Sequence, residues 1–336
     1  MTNKYDVYAI GNALVDLEYE VHDEFFKTHS IDKGLMTLVD EERQDALLKA
    51  LGGKSKKQQC GGSAANTVIA VAQFGAKSFY SCKVAKDQTG DFYLSDLKDN
   101  GVDSNLQKQT RSEGITGKCL VLVTPDAERT MNTFLGITST LAKSEVDAES
   151  IKNSKYLYME GYLVASPTGK EAAIHAREIA EKAGVKTALT FSDVNMVKFF
   201  KDGLKEMIGP SGIDLLFCNG AEALAYMDTI SLLEAREGLK KIAKNFVITL
   251  GENGAIIWDG ITFIDIEPYP VKAIDSNGAG DMYAGAFLYA IAQGHTLASA
   301  GKLASVAASK VVSQFGPRLS TSQALEIKNQ VYGARA

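Results

Sequence analysis

The residues best placed by type and spacing to do chemistry are Asp275-Ser276-Asn277-Gly278-Ala279-Gly280-Asp281, followed by an apolar, small-residue segment from about Met282 to Ala292 that reads as a helix. A Gly-Ala-Gly run at a helix start leaves backbone N–H groups uncovered by side chains, at the end where the helix dipole is positive. That makes Gly278, Ala279 and Gly280 an anion cradle. Asp281, in the same turn, would repel an anion that it merely accompanied. It makes sense as a base that takes a proton from a nucleophilic hydroxyl beside that anion. A glycine-rich cap, with Asp281 as a first-turn partner of the dipole, uses the same residues, and spacing alone leaves both readings open.

Other polar groups follow strand-like runs. Asn12 and Asp16 come after the run Tyr5 to Ile10, where two polar side chains could grip vicinal hydroxyls or simply form a turn. In Cys60-Gly61-Gly62-Ser63-Ala64-Ala65-Asn66-Thr67 paired glycines open an amphipathic helix to about Phe74. Ser63 is expected to cap that helix, Gly61 and Gly62 to clear space for a ligand, and Asn66 to offer it a donor and an acceptor. Asn219-x-x-Glu222 follows the run Ile213 to Phe217; Glu222 suits either a hydrated Mg²⁺ or the first turn of a helix. Thr249-Leu250-Gly251-Glu252-Asn253-Gly254 ends another run, and its glycines permit close approach of a ligand or an ordinary turn.

Several other chemistries find no support. Gly53-Lys54-Ser55 lacks the first glycine of a P-loop, since Leu48 stands there. Gly61-Gly62-Ser63-Ala64-Ala65 misses the nucleophile elbow at its last position, and no G-x-G-x-x-G follows Ile10. His22, His29, His175 and His295 are scattered, so neither a metal site nor a Ser-His-Asp triad is indicated.

The elements that must hold these residues alternate. Lys77–Cys82, Tyr156–Met159, Thr187–Phe191, Ile213–Phe217 and Phe246–Leu250 are short apolar runs set between helical patterns, as in a parallel sheet wrapped by helices. The segments near 17–21, 35–39, 118–123 and 130–135 read instead as a small antiparallel appendage, the last two forming a hairpin around Pro125-Asp126-Ala127-Glu128. One scaffold helix is legible at both ends, with Ser166 as N-cap, Pro167 at the first position and Gly184 beyond the last. Its stripe is Ala172, Ala176, Ile179, Ala180 and Ala183.

Composition bounds the rest. The chain has 336 residues, 45% hydrophobic and 23% charged, as expected of a globular α/β protein. A net charge of −5 gives no basic footprint, so no nucleic acid is expected as partner. Cys60, Cys82, Cys119 and Cys218 lie far apart, which fits reduced thiols. No leader pattern and no membrane-length apolar run is found, so a cytoplasmic protein without a membrane partner is expected.

Taken in order, Gly11-Asn12 through Asp16, Gly61-Gly62 through Asn66, Asn219-x-x-Glu222, Gly251-x-x-Gly254 and Asp275 through Asp281 resemble the ribokinase-like (PfkB) family of carbohydrate and nucleoside kinases. The likeness spans roughly residues 5 to 320. Within the family the chain looks most like the adenosine-kinase branch, through Gly11-Asn12-Ala13-Leu14-Val15-Asp16, Thr116-Gly117-Lys118-Cys119, Glu160-Gly161-Tyr162-Leu163 with Ser166-Pro167, and Asn277. Arg129 through Gly136 resembles a bacterial subset. Ser276 departs from the usual Thr, and Met282-Tyr283 from the commoner Ala-Phe.

The resemblance implies a three-layer α/β/α fold with a small β-sheet lid from about 15–40 and 115–136. It implies transfer of the ATP γ-phosphoryl group to a primary hydroxyl, the 5′-OH where the acceptor is adenosine. Asp281 would be the base, and the N–H groups of Ala279, Gly280 and Asp281 the anion hole. Asn12, Asp16, Gly61, Gly62 and Asn66 would hold ribose, with Phe134 and Tyr162 flanking a planar base. Asn219, Glu222, Thr249, Gly251, Gly254, Gly278 and Gly280 would serve ATP, Arg129 swinging toward its phosphates, with Mg²⁺ held through water at Glu222 and K⁺ near the Asp275 and Gly316 loops. A ribose or ketohexose kinase, and a silent ligand-binding protein, are the alternatives. A monomer and a homodimer through the lid both fit.

Overall fold

In a computed structural model, which describes residues 3–53, 55–126 and 128–333, the strands run β1 (Tyr5–Ile10), β2 (Leu14–Glu20), β3 (Met36–Leu38), β4 (Lys57–Gly61), β5 (Ser78–Ser81), β6 (Val102–Ser104), β7 (Thr116–Val123) and β8 (Arg129–Gly136). They continue as β9 (Ser154–Glu160), β10 (Lys186–Thr190), β11 (Ile213–Asn219), β12 (Ala243–Thr249), β13 (Ala255–Trp258) and β14 (Phe263–Ile266). Nine of them form one sheet in the order β14-β13-β12-β11-β10-β9-β1-β5-β6, parallel from β12 to β6 and antiparallel at the β13–β14 edge.

Burial on both faces explains why β1 is apolar without alternation. Val7 and Ala9 join the core beneath the helices Ser63–Gln73, Ala279–Ala292 and Leu297–Val312. Tyr8 and Ile10 join the opposite core beneath Pro167–Ala183 and Val194–Ile208. Val7 and Ile10, fully buried, each contribute roughly 1.5–3 kcal/mol of transfer free energy. The Pro167–Ala183 helix begins and ends as its sequence requires: the Ser166 hydroxyl accepts from the Gly169 N–H at 3.3 Å, and Gly184 takes the left-handed conformation. Ala173 joins its buried stripe, and Ala183 is exposed.

The smaller sheet has the order β3-β8-β7-β2-β4. It departs from the expected antiparallel appendage in two ways. β2–β7 and β3–β8 are parallel pairs, which is possible because the chain passes through the main sheet between β2 and β7. The strand β4 is also unheralded, because Lys57-Gln58-Gln59 is polar; it lies at the sheet edge, where polar residues belong. β7 and β8 do pair as a hairpin, although Ala127 in its turn lies outside the described residues. One face of this sheet is covered by helices: Asp23–Thr28 and Glu41–Leu51 lie over its outer side with Phe26 and Leu47 against Leu120 and Leu122. Among the described residues no helix is long and apolar enough to cross a membrane.

One glycine sets how closely the helices carrying the candidate site approach. A Cβ on Gly285 would lie 2.5 Å from the Ala70 Cβ and 2.6 Å from the Thr67 carbonyl oxygen, so Ala279–Ala292 can touch Ser63–Gln73 there only without a side chain. Alanine is the better helix former by about 1 kcal/mol, whereas overpacking costs typically 1–3 kcal/mol. Gly285→Ala should therefore destabilise the protein, read as a lower urea midpoint; a raised midpoint would show that the two helices are not in this contact.

Candidate active site

The order of the main sheet locates a crevice before any side chain is considered. From β1 the chain lays down β5 and β6 on one side and then returns to lay down β9 through β12 on the other, so β1 and β9 are neighbours at a topological switch point. Beyond their carboxyl ends lies a cavity of about 360 Å³, roofed by the smaller sheet. Asn12 follows β1 into it, Glu160 ends β9 in it, and Asn219 and Thr249 end β11 and β12 along its rim.

Asp281 sits on the cavity wall with both carboxylate oxygens held. The Ser63 hydroxyl donates to Oδ1 at 2.6 Å and the Asn66 side-chain amide to Oδ2 at 3.1 Å. Ser63 therefore is not the helix cap expected of it: Gly62, at φ 100°, occupies the cap, and Ser63 is the first helical residue with its hydroxyl on Asp281. Burial pushes the Asp281 carboxyl up to about 6, against the pull of those two hydrogen bonds and of the Arg318 charge. Each oxygen keeps a lone pair for an incoming hydroxyl.

Asp16, on β2, faces the same space. Burial raises its carboxyl to about 7, opposed by Arg318 and Arg129 and reinforced by Asp281 and Glu18. Gly61 on β4, the register partner of Leu14 and so diagonal to Asp16, makes that position possible, since a Cβ there would meet the Asp16 Oδ1 at 2.0 Å. Gly62 and Asn66 line the cavity, whereas Gly61 only borders it through Asp16.

Glu160 carries no role in the sequence reading, yet it is fully buried where the elements meet. It accepts the Asn12 N–H at 2.7 Å and the Ala64 N–H at 2.9 Å. Burial raises its carboxyl to about 7 despite those bonds. The signal available was its place, an acidic residue closing an apolar strand. Arg318 was missed altogether. Its Nε donates to Asn66 Oδ1 at 2.9 Å, its Nη1 to Asp96 at 3.1 Å and its Nη2 to the Cys60 carbonyl. Nothing in Gly316-Pro317-Arg318 announces this.

The glycine-rich turn is arranged more narrowly than its sequence suggests. The Ala279 N–H is directed to the Ser276 carbonyl at 3.3 Å, and Ala279 does not line the cavity. Gly278, Gly280 and Asp281 do line it, at the start of Ala279–Ala292, and a Cβ on Gly280 would meet nothing within 4 Å. Of the N–H groups expected to form an anion hole, that of Ala279 is thus already engaged within the turn, whereas Gly278 and Gly280 border the cavity at the helix start.

Four residues expected to contact ligands, Phe134, Arg129, Gly251 and Gly254, do not line the cavity. Phe134 pairs with Lys118 on the face of β8 opposite Met131, Thr133 and Leu135, which are the residues that line the cavity; strand alternation turns Phe134 outward. Tyr162 does line it. Arg129, expected to swing toward the phosphates, has a largely buried side chain bound to Asp275 at 2.7 Å and to Glu18 at 3.3 Å, so it joins the smaller sheet to the glycine-rich turn instead of reaching into the cavity. Asp275 also accepts the N–H groups of Asn277 and Gly316, leaving its carboxylate satisfied by protein donors. Gly251 and Gly254 lie outside the cavity. Gly254 is required by the β12–β13 turn, where a Cβ would strike the Ile266 carbonyl at 2.0 Å.

Glu222 is a buried capping residue: its Oε2 accepts the Asn219 N–H at 3.0 Å and its Oε1 the Asn219 side-chain amide at 2.8 Å. Burial raises it to about 7. With both oxygens engaged on Asn219 and no cationic partner, it suits a hydrated ion held through water better than direct ligation. Among the described residues no three His, Cys, Asp or Glu side chains gather as a metal site.

A parallel sheet with its crevice at the switch point, an anion cradle at a helix start and a carboxylate beside it define a phosphoryl-transfer enzyme. The pfkB family carbohydrate kinase pattern matches residues 35–324. The chain belongs to that family, whose members are ATP-dependent kinases acting on an alcohol group. It is similar to a solved structure of a probable sugar kinase from Rhizobium etli (34% identity, 98% of this chain and 100% of that one, TM-score 0.89). It is equally similar to the adenosine kinase from Sinorhizobium meliloti (35% identity, 96% and 99%, TM-score 0.88). A 5-dehydro-2-deoxygluconokinase from Clostridium beijerinckii is 28% identical over 272 residues, 76% of this chain and 79% of its own.

The close fit of Asp16 against Gly61 gives a direct test. Gly61→Ala should displace the Asp16 carboxylate and raise the acceptor KM at least about tenfold, a loss typical of a misplaced binding group, while kcat at saturation falls less; an unchanged KM would remove Asp16 from acceptor binding.

Proposed function

We propose that the chain transfers the γ-phosphoryl group of ATP to the primary hydroxyl of a nucleoside, the 5′-OH of adenosine being the leading candidate. The observation that carries the acceptor class is the lining of the cavity. Hydroxyl-binding groups, Asn12, Asp16 and Asn66, gather at one end beside Asp281. The wall contributed by the smaller sheet is mainly apolar, with Leu14, Met36, Leu38, Met131 and Leu135 beside Thr133, and Tyr162 faces the cavity from the body. A free sugar presents hydroxyls all round and would leave that wall facing polar groups without partners. A ribose with a planar base suits both ends.

Charge supports the same reading. Asp16, Glu160, Glu222 and Asp281 line the cavity, and among the described residues no Lys, Arg or His does. An acid acceptor of the gluconate type would bring its carboxylate beside these groups with no cation to receive it.

In this mechanism the smaller sheet acts as the lid over the acceptor. Asn12, Asp16, Gly62 and Asn66 orient the ribose, and Asp281 accepts the hydroxyl proton as that oxygen bonds to the γ-phosphorus and the bond to the β-phosphate oxygen breaks, releasing ADP. The N–H groups of Gly278, Gly280 and Asp281 hold the charge of the transferring group. Glu222 and Asn219 would hold the water shell of a bound Mg²⁺, which would supply neutralisation of phosphate charge. Any K⁺ near the 275 and 316 turns would rest on backbone carbonyls, because Arg129 occupies the Asp275 carboxylate.

Asp281→Asn should lower kcat at least ~100-fold, the usual loss of a general base, with ATP binding retained; near-normal turnover would sink the assignment. Because the base must be ionised, wild-type kcat should fall as pH drops through about 6. A panel of adenosine, inosine, ribose, fructose and a gluconate-type acid, each with ATP and Mg²⁺, decides the acceptor. Adenosine turnover supports the nucleoside reading, preference for a free sugar or an acid overturns it, and no turnover of any acceptor would return the silent binding protein.

A further inference from the structure

We infer that Arg318 is a positioning residue for the base, fixing the side-chain amide of Asn66 so that its NH₂ group faces Asp281. The inference rests on the reading of Asp281 as the base and goes beyond it, since Arg318 belongs to neither the acceptor nor the donor side of the cavity.

The chain of contacts is short and its direction is chemically forced. A guanidinium only donates hydrogen bonds and an ionised carboxylate only accepts them. An amide held between the two has one orientation, oxygen toward Arg318 and nitrogen toward Asp281, and that is the arrangement present: Arg318 Nε to Asn66 Oδ1 at 2.9 Å, and Asn66 Nδ2 to Asp281 Oδ2 at 3.1 Å. Without Arg318 the amide has no donor on its oxygen side, and rotation would set that oxygen against the carboxylate. The guanidinium itself is held in place by the Cys60 carbonyl and by Asp96, which also accepts the Cys60 N–H at 2.7 Å and the Asn100 side-chain amide at 3.1 Å. Asn66 and Arg318 are both largely buried, with side chains 7% and 9% exposed, so water is a poor substitute for either.

The groups that bear on Asp281 come from every neighbouring element: Ser63 and Asn66 on the adjoining helix, Asp16 on β2, Tyr158 and Glu160 on β9, Tyr162 just after it, and Arg318. Arg318 is the cation among them that holds the base toward its ionised form. Because Arg318 also acts on Asp16, the informative profile is that of kcat at saturating acceptor, where Asp16 is already engaged.

The test is a double-mutant cycle in the full-length protein with ATP, Mg²⁺ and adenosine, or ribose where adenosine is not turned over. Arg318→Met should lower kcat about tenfold, a mid-range coupling for contacting groups, and move the acidic limb of the kcat profile to higher pH by about half a unit or more. In an Asn66→Ala background the same change should alter kcat less than about twofold. Equal losses in both backgrounds, or a limb left at the wild-type pH, would overturn the inference and leave Arg318 a structural bridge between β4 and the C-terminal loop. Should Arg318→Met not fold, Arg318→Lys keeps the charge and loses the Nε contact; its kcat loss should likewise vanish in Asn66→Ala, and persistence of the loss counts against the inference. Failure of the underlying reading is separate: it shows as near-normal turnover of Asp281→Asn.

Discussion

Everything in the crevice hangs on a carboxylate that never meets solvent. Glu160 accepts one N–H from the residue after β1 and another from the first turn of the Ser63–Gln73 helix, and so fixes the strand end that carries Asn12 against the helix that carries Ser63 and Asn66. Ionised, it also sits at the positive end of that helix. Gly11 is the complement, since any side chain there would occupy the space of the Glu160 carboxylate. Removing Glu160 would leave two buried N–H groups unpaired and free the relative placement of the hydroxyl-binding residues and the base.

The same carboxylate belongs to a group whose mutual repulsion has to be contained. Asp16, Glu160, Glu222 and Asp281 share one cavity, and burial raises each above its ordinary range. Containment is achieved from behind, by backbone N–H groups on Glu160 and Glu222, by Ser63 and Asn66 on Asp281, and by Arg318 and Arg129 just outside the wall. Cations are thereby kept off the lining itself. A protein of net charge −5 can in this way hold an anionic donor through local dipoles, without a basic surface.

The parts of this arrangement that were legible in the sequence are those with a local cause. Apolar runs of strand length between helical patterns gave the main sheet, and Ser166-Pro167 with Gly184 gave both ends of one helix, because capping and periodicity act over a few residues. The glycine-rich turn was legible for the same reason, although its Ala279 amide turned inward to Ser276. Long-range facts were not. The sense of β2–β7 pairing depends on a crossover through the main sheet, β4 has no pattern of its own, and the outward turn of Phe134 follows from a register that one strand cannot reveal. Arg318 reaches Asn66 across 252 positions, and Arg129 reaches Asp275 from another sheet, so neither contact has a sequence signature.

The two sheets are woven together along the chain, and this bears on how the protein is made. β2, β3 and β4 are followed by β5 and β6 of the main sheet before β7 and β8 complete the smaller one, and β1 must wait for β9, its register partner from Tyr5 with Ser154 onward. The smaller sheet has all its strands by Gly136, whereas the main-sheet wall of the crevice must wait for β9 to β12, and contacts of such sequence separation are slow to close. The crevice is therefore closed from its late side: its roof can be in place by Gly136, but the floor between β1 and β9 exists only once Ser154–Glu160 has paired with Tyr5–Ile10.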